Sequence, residues 1–178
     1  MPQERPPPDV IDLEASGFGA GSYPIEAGFV TASGERYCAL IRPAEHWVHW
    51  DAEAEAVHGI SRDVLREHGR PPIEVARALN SALAGRTVYS DSWLYDFSWL
   101  SVLFNEAGLA PAFRLEHIYS LLGETERAAW GDAQHAVERE LSLRRHRASS
   151  DALIVQKTWL RLTASDPAQS AGGPALAT

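Results

Sequence analysis

Near the start of the chain stands the stretch Val10-Ile11-Asp12-Leu13-Glu14-Ala15-Ser16-Gly17, a short apolar run that carries two carboxylates and ends at a Gly/Ser turn. We interpret it as a β-strand, in which residues two apart share one face of the sheet. Asp12 and Glu14 then share one face, and Ile11 and Leu13 anchor the other. Two buried acids repel each other and lose hydration, which favours a divalent cation beside them. An edge strand with two solvated acids is the competing interpretation.

The composition is that of one globular domain. The chain has 178 residues, 45% hydrophobic and 22% charged, which is enough for a core. Its net charge of −8, from 16 basic and 24 acidic residues, argues against a broad phosphate-binding surface but not against a small metal-loaded pocket. A single cysteine, Cys38, excludes an intrachain disulfide and a cysteine-rich zinc module. No apolar run approaches a membrane span and no secretory signal is recognisable, so we expect a cytoplasmic protein.

The order of the predicted elements indicates one α/β or α+β domain with a single sheet. We expect a flexible N-terminal arm at 1–8, one domain at 9–163 and a disordered C-terminal tail at 164–178, because both ends are polar or rich in Ala, Gly, Pro and Ser. Strands are predicted at about 9–14, 24–30, 36–41, 87–90 and 115–119. Helices are predicted at about 51–57, 61–67, 72–84, 93–107, 124–143 and 148–162.

A second acidic position lies where the fourth predicted strand gives way to a helix. Asp96 falls in the first turns of an otherwise apolar helix, where the helix dipole favours an acid by about 0.3–1 kcal/mol. That preference alone would explain the residue. The aromatic neighbours Tyr95, Phe97 and Trp99 nevertheless predict a partly buried carboxylate.

A third position is the stretch 144–153, which contains His146 and Asp151. On one continuous helix these two side chains would point about 140° apart. We therefore predict that His146 lies in the loop before the last helix and Asp151 in its first turns. A histidine placed this way can reach a water held by the acid. The alternative is that His146 is only a surface residue in a basic run.

In this order the motifs resemble the DEDDh group of 3′–5′ exonucleases, the proofreading-exonuclease superfamily. The resemblance runs over about 10–162, with Asp-Leu-Glu on the first strand, Tyr-Asp in the middle helix and His-x-x-x-x-Asp at the last helix. Further landmarks are 25–28 and 58–60. The resemblance implies a ribonuclease-H-like α/β fold, with a central mixed five-stranded sheet, three antiparallel strands first, flanked by helices.

The resemblance also implies an activity, hydrolysis of phosphodiester bonds at nucleic-acid 3′ ends with two Mg²⁺ or Mn²⁺ ions. Asp12, Glu14, Asp96 and Asp151 would hold the ions, and Asp12 would bridge both. His146 would take the proton of the attacking water. The substrate would be single-stranded or 3′-end nucleic acid, with DNA, RNA and short oligonucleotides all open, and a homodimer is compatible with the family.

Substrate contacts are implied for the segment after the first strand. Ala15, Ser16 and Gly17, where relatives often have Thr-Thr-Gly, would wrap the terminal nucleotide. Phe18 would stack on a base, or else be an exposed loop aromatic. The basic side chains before the last helix would contact the phosphate backbone, unless this basic run is only a solvated loop; they are Arg144, Arg145 and Arg147.

Departures from the family pattern leave alternatives open. Asp91-Ser92 stands where relatives usually have His-Asn, which makes Asp91 a rival of Asp96 as a metal ligand. A non-enzymatic nucleic-acid-binding or interaction domain of the same fold is a second reading, although all five chemistry positions are present. A zinc site is a third interpretation, and it is weak because paired cysteines are missing. Its candidate ligands are Cys38, His46, His49 and His58.

Overall fold

The computed structural model describes residues 5–143 and 145–164. Most of the predicted C-terminal tail and the first half of the predicted N-terminal arm therefore lie outside the described residues. Within the described part of the chain, no helix is both long and apolar enough to cross a membrane.

The described residues form five strands, six α-helices and a short 3-10 helix in an alternating order. The elements are β1 Asp9–Ala15, β2 Pro24–Val30, β3 Arg36–Leu40, α1 Ala52–His58, α2 Arg62–His68, α3 Pro72–Leu83, β4 Thr87–Ser90, α4 Trp93–Ala107, β5 Arg114–His117, the 3-10 helix Ile118–Leu121, α5 Glu124–Leu141 and α6 Ala148–Thr163.

The strands form one mixed sheet in the order β3-β2-β1-β4-β5. β1, β2 and β3 pair antiparallel, while β4 pairs parallel with both β1 and β5. The predicted five-stranded sheet with three antiparallel strands first is therefore confirmed. Because β1 is the central strand, its two acids lie in the middle of the sheet rather than at an edge.

Side chains of β1 alternate between two apolar layers, as the period of a strand requires. Ile11 and Leu13 pack into the larger core, which includes buried residues of α3 and α4. Val10 packs on the other face, in a smaller cluster that includes Ala152 and Trp159 of α6. Asp12 and Glu14 share the face of Val10. The two acids consequently face α6.

A glycine in β2 allows α6 to begin close above the sheet. Gly28 pairs with Asp12 across the β1–β2 ladder. A Cβ at Gly28 would lie 2.3 Å from the backbone nitrogen of Ser149 and 2.6 Å from the carbonyl carbon of Ala148. Only the missing side chain permits this approach, which brings the first turn of α6 over the acids of β1.

Several predicted boundaries are wrong by a few residues. The strand predicted at 115–119 ends at His117, whose side chain accepts a hydrogen bond from the backbone N–H of Tyr119 and caps the 3-10 helix that the sequence pattern missed. The third strand stops at Leu40. The helix predicted to 143 ends at Leu141, because Ser142 adopts a left-handed conformation with φ 47°.

Candidate active site

A cavity of about 270 Å³ opens over the face of β1 that carries the acids. We call it the acidic cavity; the acidic and basic side chains on its wall are Asp12, Glu14, Asp91, Arg145, His146 and Asp151. They come from β1, from the segment between β4 and α4, and from the start of α6. Distant parts of the chain therefore supply one group of charged side chains.

His146 and Asp151 meet Glu14 at this cavity. His146 precedes α6 and has φ 58°, and its backbone N–H donates to Asp151 Oδ2 at 2.9 Å. Asp151 lies in the first turn of α6. Glu14, His146 and Asp151 each offer one ligand atom, and these atoms all lie within 4.8 Å of one another. This arrangement is one that a single divalent ion can bridge.

Asp96 lies behind the cavity wall. Its side chain is 1% exposed in the first turn of α4, more deeply buried than the sequence predicted. Oδ1 accepts from the backbone N–H of Leu13 at 3.2 Å, and Oδ2 accepts from Ser90 Oγ. Both carboxylate oxygens are thus engaged by the protein. Asp96 still raises the pKa of Asp12, which places the two carboxyl groups close together.

Asp91 stands on the cavity wall itself. Its Oδ2 accepts a hydrogen bond of 3.1 Å from Nε2 of Gln134, a residue of α5. Asp91 also raises the pKa of Asp12 and of Asp151 through its charge. The structure therefore brings this rival of Asp96 to the same cavity.

The carboxyl groups of the site have raised pKa values because they are buried and repel one another. Burial raises the pKa of Glu14 to about 8, with further increases from the charges of Asp151 and Glu26. Burial also raises the pKa of Asp12 well above its usual range, and the charges of Asp96 and Glu14 add to this. Without a cation the site favours protonated acids, so positive charge would stabilise its ionised form.

The pKa values of Asp96 and Asp151 show opposing influences. Burial raises the pKa of Asp96 to about 8, although the hydrogen bond from Ser90 lowers it. Burial likewise raises the pKa of Asp151, while the charge of Arg145 and the N–H of His146 lower it.

Two carboxylate oxygens in the described residues have properties that suit a metal ligand. Asp12 Oδ2 and Asp151 Oδ1 are buried and have no directed hydrogen-bond partner there. Buried polar atoms are normally satisfied, so such atoms indicate a missing partner. Carboxylate oxygens are the ligands that Mg²⁺ and Mn²⁺ prefer. The residues therefore fit the metal that the sequence motifs imply.

The basic residues of the loop have different partners. Arg147 donates to buried Glu26 through Nη2 at 2.6 Å and through Nε at 3.0 Å. The same carboxylate accepts from the backbone N–H of Ala148 at 2.8 Å. The guanidinium that the motif predicted to bind substrate is thus occupied by an internal acid. Arg145 instead lines the acidic cavity, and Arg144 lies outside the described residues.

The segment after β1 forms the boundary with a second cavity of about 350 Å³. Ala15 and Ser16 are buried, and Ser16 Oγ accepts from the backbone N–H of Tyr23 at 3.1 Å. Gly17 has φ 134°, and a Cβ there would lie 2.5 Å from Cβ of Asp51. This segment is therefore held tightly, with its backbone along the cavity.

Phe18 stands where the two cavities meet, and its side chain is 63% exposed. Its ring centroid is 5.0 Å from that of Tyr95 and 5.9 Å from that of Trp99. His58 lines the second cavity with its Nδ1 accepting from Ile60 N–H, and its buried Nε2 has no partner in the described residues. An aromatic wall thus borders the acids.

Sequence reasoning missed the contribution of α5. Gln134 and Glu138 lie one turn apart and contact Asp91 and Arg145, respectively. Their four-residue spacing was the available signal, since it places both on one helix face. The structure does not support the alternative zinc site, because among the described residues its four candidate side chains form no metal-ligand group.

The sheet order with acids on its central strand defines a class, the ribonuclease-H-like exonuclease fold. Solved structures of E. coli exonuclease I share it. The complex with a 5cy-dT13 oligonucleotide has a TM-score of 0.68 and 12% identity, over 90% of this chain and 41% of that one. The zinc-bound complex with single-stranded DNA has a TM-score of 0.66 and 14% identity, over 85% of this chain and 39% of that one.

This chain therefore spans about two fifths of exonuclease I. No protein-family model matches it, and the comparison with curated proteins finds no match. At these identities the likeness establishes the fold alone.

Proposed function

We propose that this protein is a metal-dependent 3′–5′ exonuclease, whose catalytic domain spans 9–163. One observation carries the proposal: Glu14, His146 and Asp151 converge within 4.8 Å at the acidic cavity, beside Asp12. The convergence occurs on a fold shared with exonuclease I. Neither the motif order nor the fold would be sufficient without that convergence, because fold alone does not determine function.

The acids would hold two Mg²⁺ or Mn²⁺ ions, which supply an activated water and neutralise the charge that develops on phosphate oxygens. Asp12 would help to hold the ions, since its Oδ2 is buried without a partner in the described residues. Glu14 and Asp151 would hold the ion beside His146. Asp96, engaged by Leu13 and Ser90, would act from behind Asp12. Their combined negative charge matches two divalent ions.

His146 would act as the general base. The loop before α6 leaves its imidazole at the cavity, and the backbone N–H of His146 donates to Asp151, which fixes the loop beside the acids. Imidazole exchanges protons in the neutral pH range, as this role requires. Asp151 thus both orients the histidine backbone and offers its other oxygen to a metal ion.

The substrate would be the 3′ end of a single strand. Structures of E. coli exonuclease I contain single-stranded oligonucleotides, and this chain offers its own aromatic wall. Phe18 would stack on a base, since stacking on aromatic side chains binds single strands of any sequence. The segment 15–17 would lie along the terminal nucleotide. DNA and RNA both satisfy these contacts.

Degradation of a nucleic-acid strand labelled at its 5′ end tests the proposal. With Mn²⁺ or Mg²⁺, labelled single-stranded DNA and RNA should shorten progressively from the unlabelled 3′ end, and EDTA should stop the reaction. Asp12→Asn should lower the rate more than about 100-fold, because outer partners of metal sites alone contribute 10–100-fold. Asp132→Asn, an exposed acid on α5, is the matched control. Full activity of Asp12→Asn would refute the metal site, and binding without hydrolysis by the unmodified protein would indicate a non-enzymatic domain.

A further inference from the structure

Arg145 lies beside Asp151, one of the proposed metal ligands. Its Nε lies 2.8 Å from Asp151 Oδ1, and its Nη1 pairs with Glu138 of α5. The Nε–H is not directed at Oδ1, which has no hydrogen bond within the described residues. The guanidinium therefore provides positive charge beside Asp151 without a directed hydrogen bond to Oδ1.

Arg145 differs from Arg147 in its surroundings. Arg147 is bound to Glu26, which is 0% exposed. Glu138, the partner of Arg145, is partly exposed, the Arg145 side chain is itself 38% exposed, and Arg145 lines the acidic cavity. Arg147 is thus part of the interior, whereas Arg145 has room to move within the cavity.

We propose that Arg145 is a substrate-binding residue with two positions. In the metal-free protein it neutralises Asp151; when metal binds the acids, it moves to a backbone phosphate of the nucleic acid. The inference rests on the proposed function, because it requires metal and nucleic acid in this cavity. A cation at Asp151 repels the guanidinium, whereas a phosphate offers oxygens that match the guanidinium's paired N–H groups.

Glu138 acts as a positioning residue for this arginine. It lies one helical turn after Gln134, which contacts Asp91, so one face of α5 borders the cavity. Because Glu138 contacts Nη1 while Asp151 lies beside Nε, the arginine can leave Asp151 and stay anchored to α5. Phosphate binding would then need only a small movement of the guanidinium.

The test measures binding without turnover. Isothermal titration of the free protein with Mn²⁺ should give an affinity about 3–10-fold higher in Arg145→Gln, because a competing cation is removed. Fluorescence anisotropy with labelled dT13, in saturating Ca²⁺ to prevent hydrolysis, should give an affinity about 5–20-fold lower, the loss of one charged hydrogen-bonded contact. Arg161→Gln, whose partner is the exposed Glu140, should leave both affinities unchanged.

Two further variants separate charge from geometry. Arg145→Lys keeps the positive charge, so Mn²⁺ affinity should stay near that of the unmodified protein while dT13 affinity falls, because lysine lacks the paired N–H groups. Glu138→Gln should lower dT13 affinity about 2–5-fold, because it weakens the contact that holds the Arg145 side chain in position while Arg145 itself is unchanged.

Weaker Mn²⁺ binding in Arg145→Gln would overturn the inference, since it would show that Arg145 only holds Asp151 in place for the metal. Unchanged affinity for both Mn²⁺ and dT13 would overturn it as well. If Arg145→Gln does not fold, the folded Arg145→Lys protein decides through its dT13 affinity. Failure of the proposed function is distinguishable, because the unmodified protein would then neither bind Mn²⁺ nor degrade DNA.

Discussion

The buried ion pair between Arg147 and Glu26 allows a sharp test of structure against the substrate role that the motif predicted for Arg147. Glu26 is 0% exposed and is held by Arg147 at 2.6 and 3.0 Å and by the N–H of Ala148 at 2.8 Å. Arg147→Met keeps much of the side-chain volume and removes the countercharge. Removing one partner of a buried pair costs about 3–5 kcal/mol.

The expected magnitude lies at the lower end of that range. The Arg147 side chain is 34% exposed, so solvent screens part of the interaction, and we expect a loss of about 3 kcal/mol. For a domain of this size that corresponds to a melting temperature lower by about 6–12 °C. Urea unfolding followed by tryptophan fluorescence gives the free energy directly.

A double variant and a control complete the measurement. Glu26→Gln with Arg147→Met should recover about half or more of the loss, because no buried charge is left without a partner. Arg161→Met breaks an exposed pair with Glu140 and should cost less than about 0.5 kcal/mol. A loss below about 1 kcal/mol in Arg147→Met, together with weaker oligonucleotide binding, would refute the structural role and restore Arg147 as a substrate residue.

The site carboxyls and the glycine beneath α6 give four more expected outcomes. The pKa values of Glu14 and Asp96 are raised from 4.5 and 3.8 to about 8, so their contribution to stability is full below about pH 4 and is lost as the pH rises through 8. Melting temperatures in EDTA should fall over this range and Mn²⁺ should reverse the fall; a flat profile in EDTA would contradict the raised values. Asp91→Asn should lower Mn²⁺ affinity about tenfold in calorimetry, with stability unchanged, because it lines the cavity. Asp96→Ala should cost about 1–3 kcal/mol in urea unfolding, because it leaves buried donors without an acceptor. Gly28→Ala should lower the free energy of unfolding by more than about 2 kcal/mol, because the added Cβ forces α6 away. Gly131→Ala on α5, where a Cβ meets open space, should be neutral or stabilising. Equal effects of the two substitutions would refute the close approach of α6 at Gly28.

Local patterns predicted the elements that position the site. The alternation of β1 was sufficient to place Asp12 and Glu14 on one face, because strand side chains alternate whatever packs against them. The helix predicted at 93–107 has those bounds in the structure, since its apolar spacing is regular and Gly108 ends it with φ 63°. His146 was likewise predicted in the loop before α6, from the angle that a continuous helix would impose.

Which charged groups meet was decided only by tertiary packing. The sequence alone determined that acids stand on the first strand, near the start of a middle helix and at the start of the last one, whereas the central position of that strand came from the sheet order. The sequence left Asp91 and Asp96 as rivals and did not separate Arg145 from Arg147 as the phosphate contact, because spacing along the chain orients a side chain only relative to its own element. The approach of α6 at Gly28 and the position of α5 decided that Asp91 and Arg145 line the cavity, whereas Arg147 binds Glu26 inside. Charge pairing depends on distances between elements remote in sequence, and those distances exist only in the folded chain.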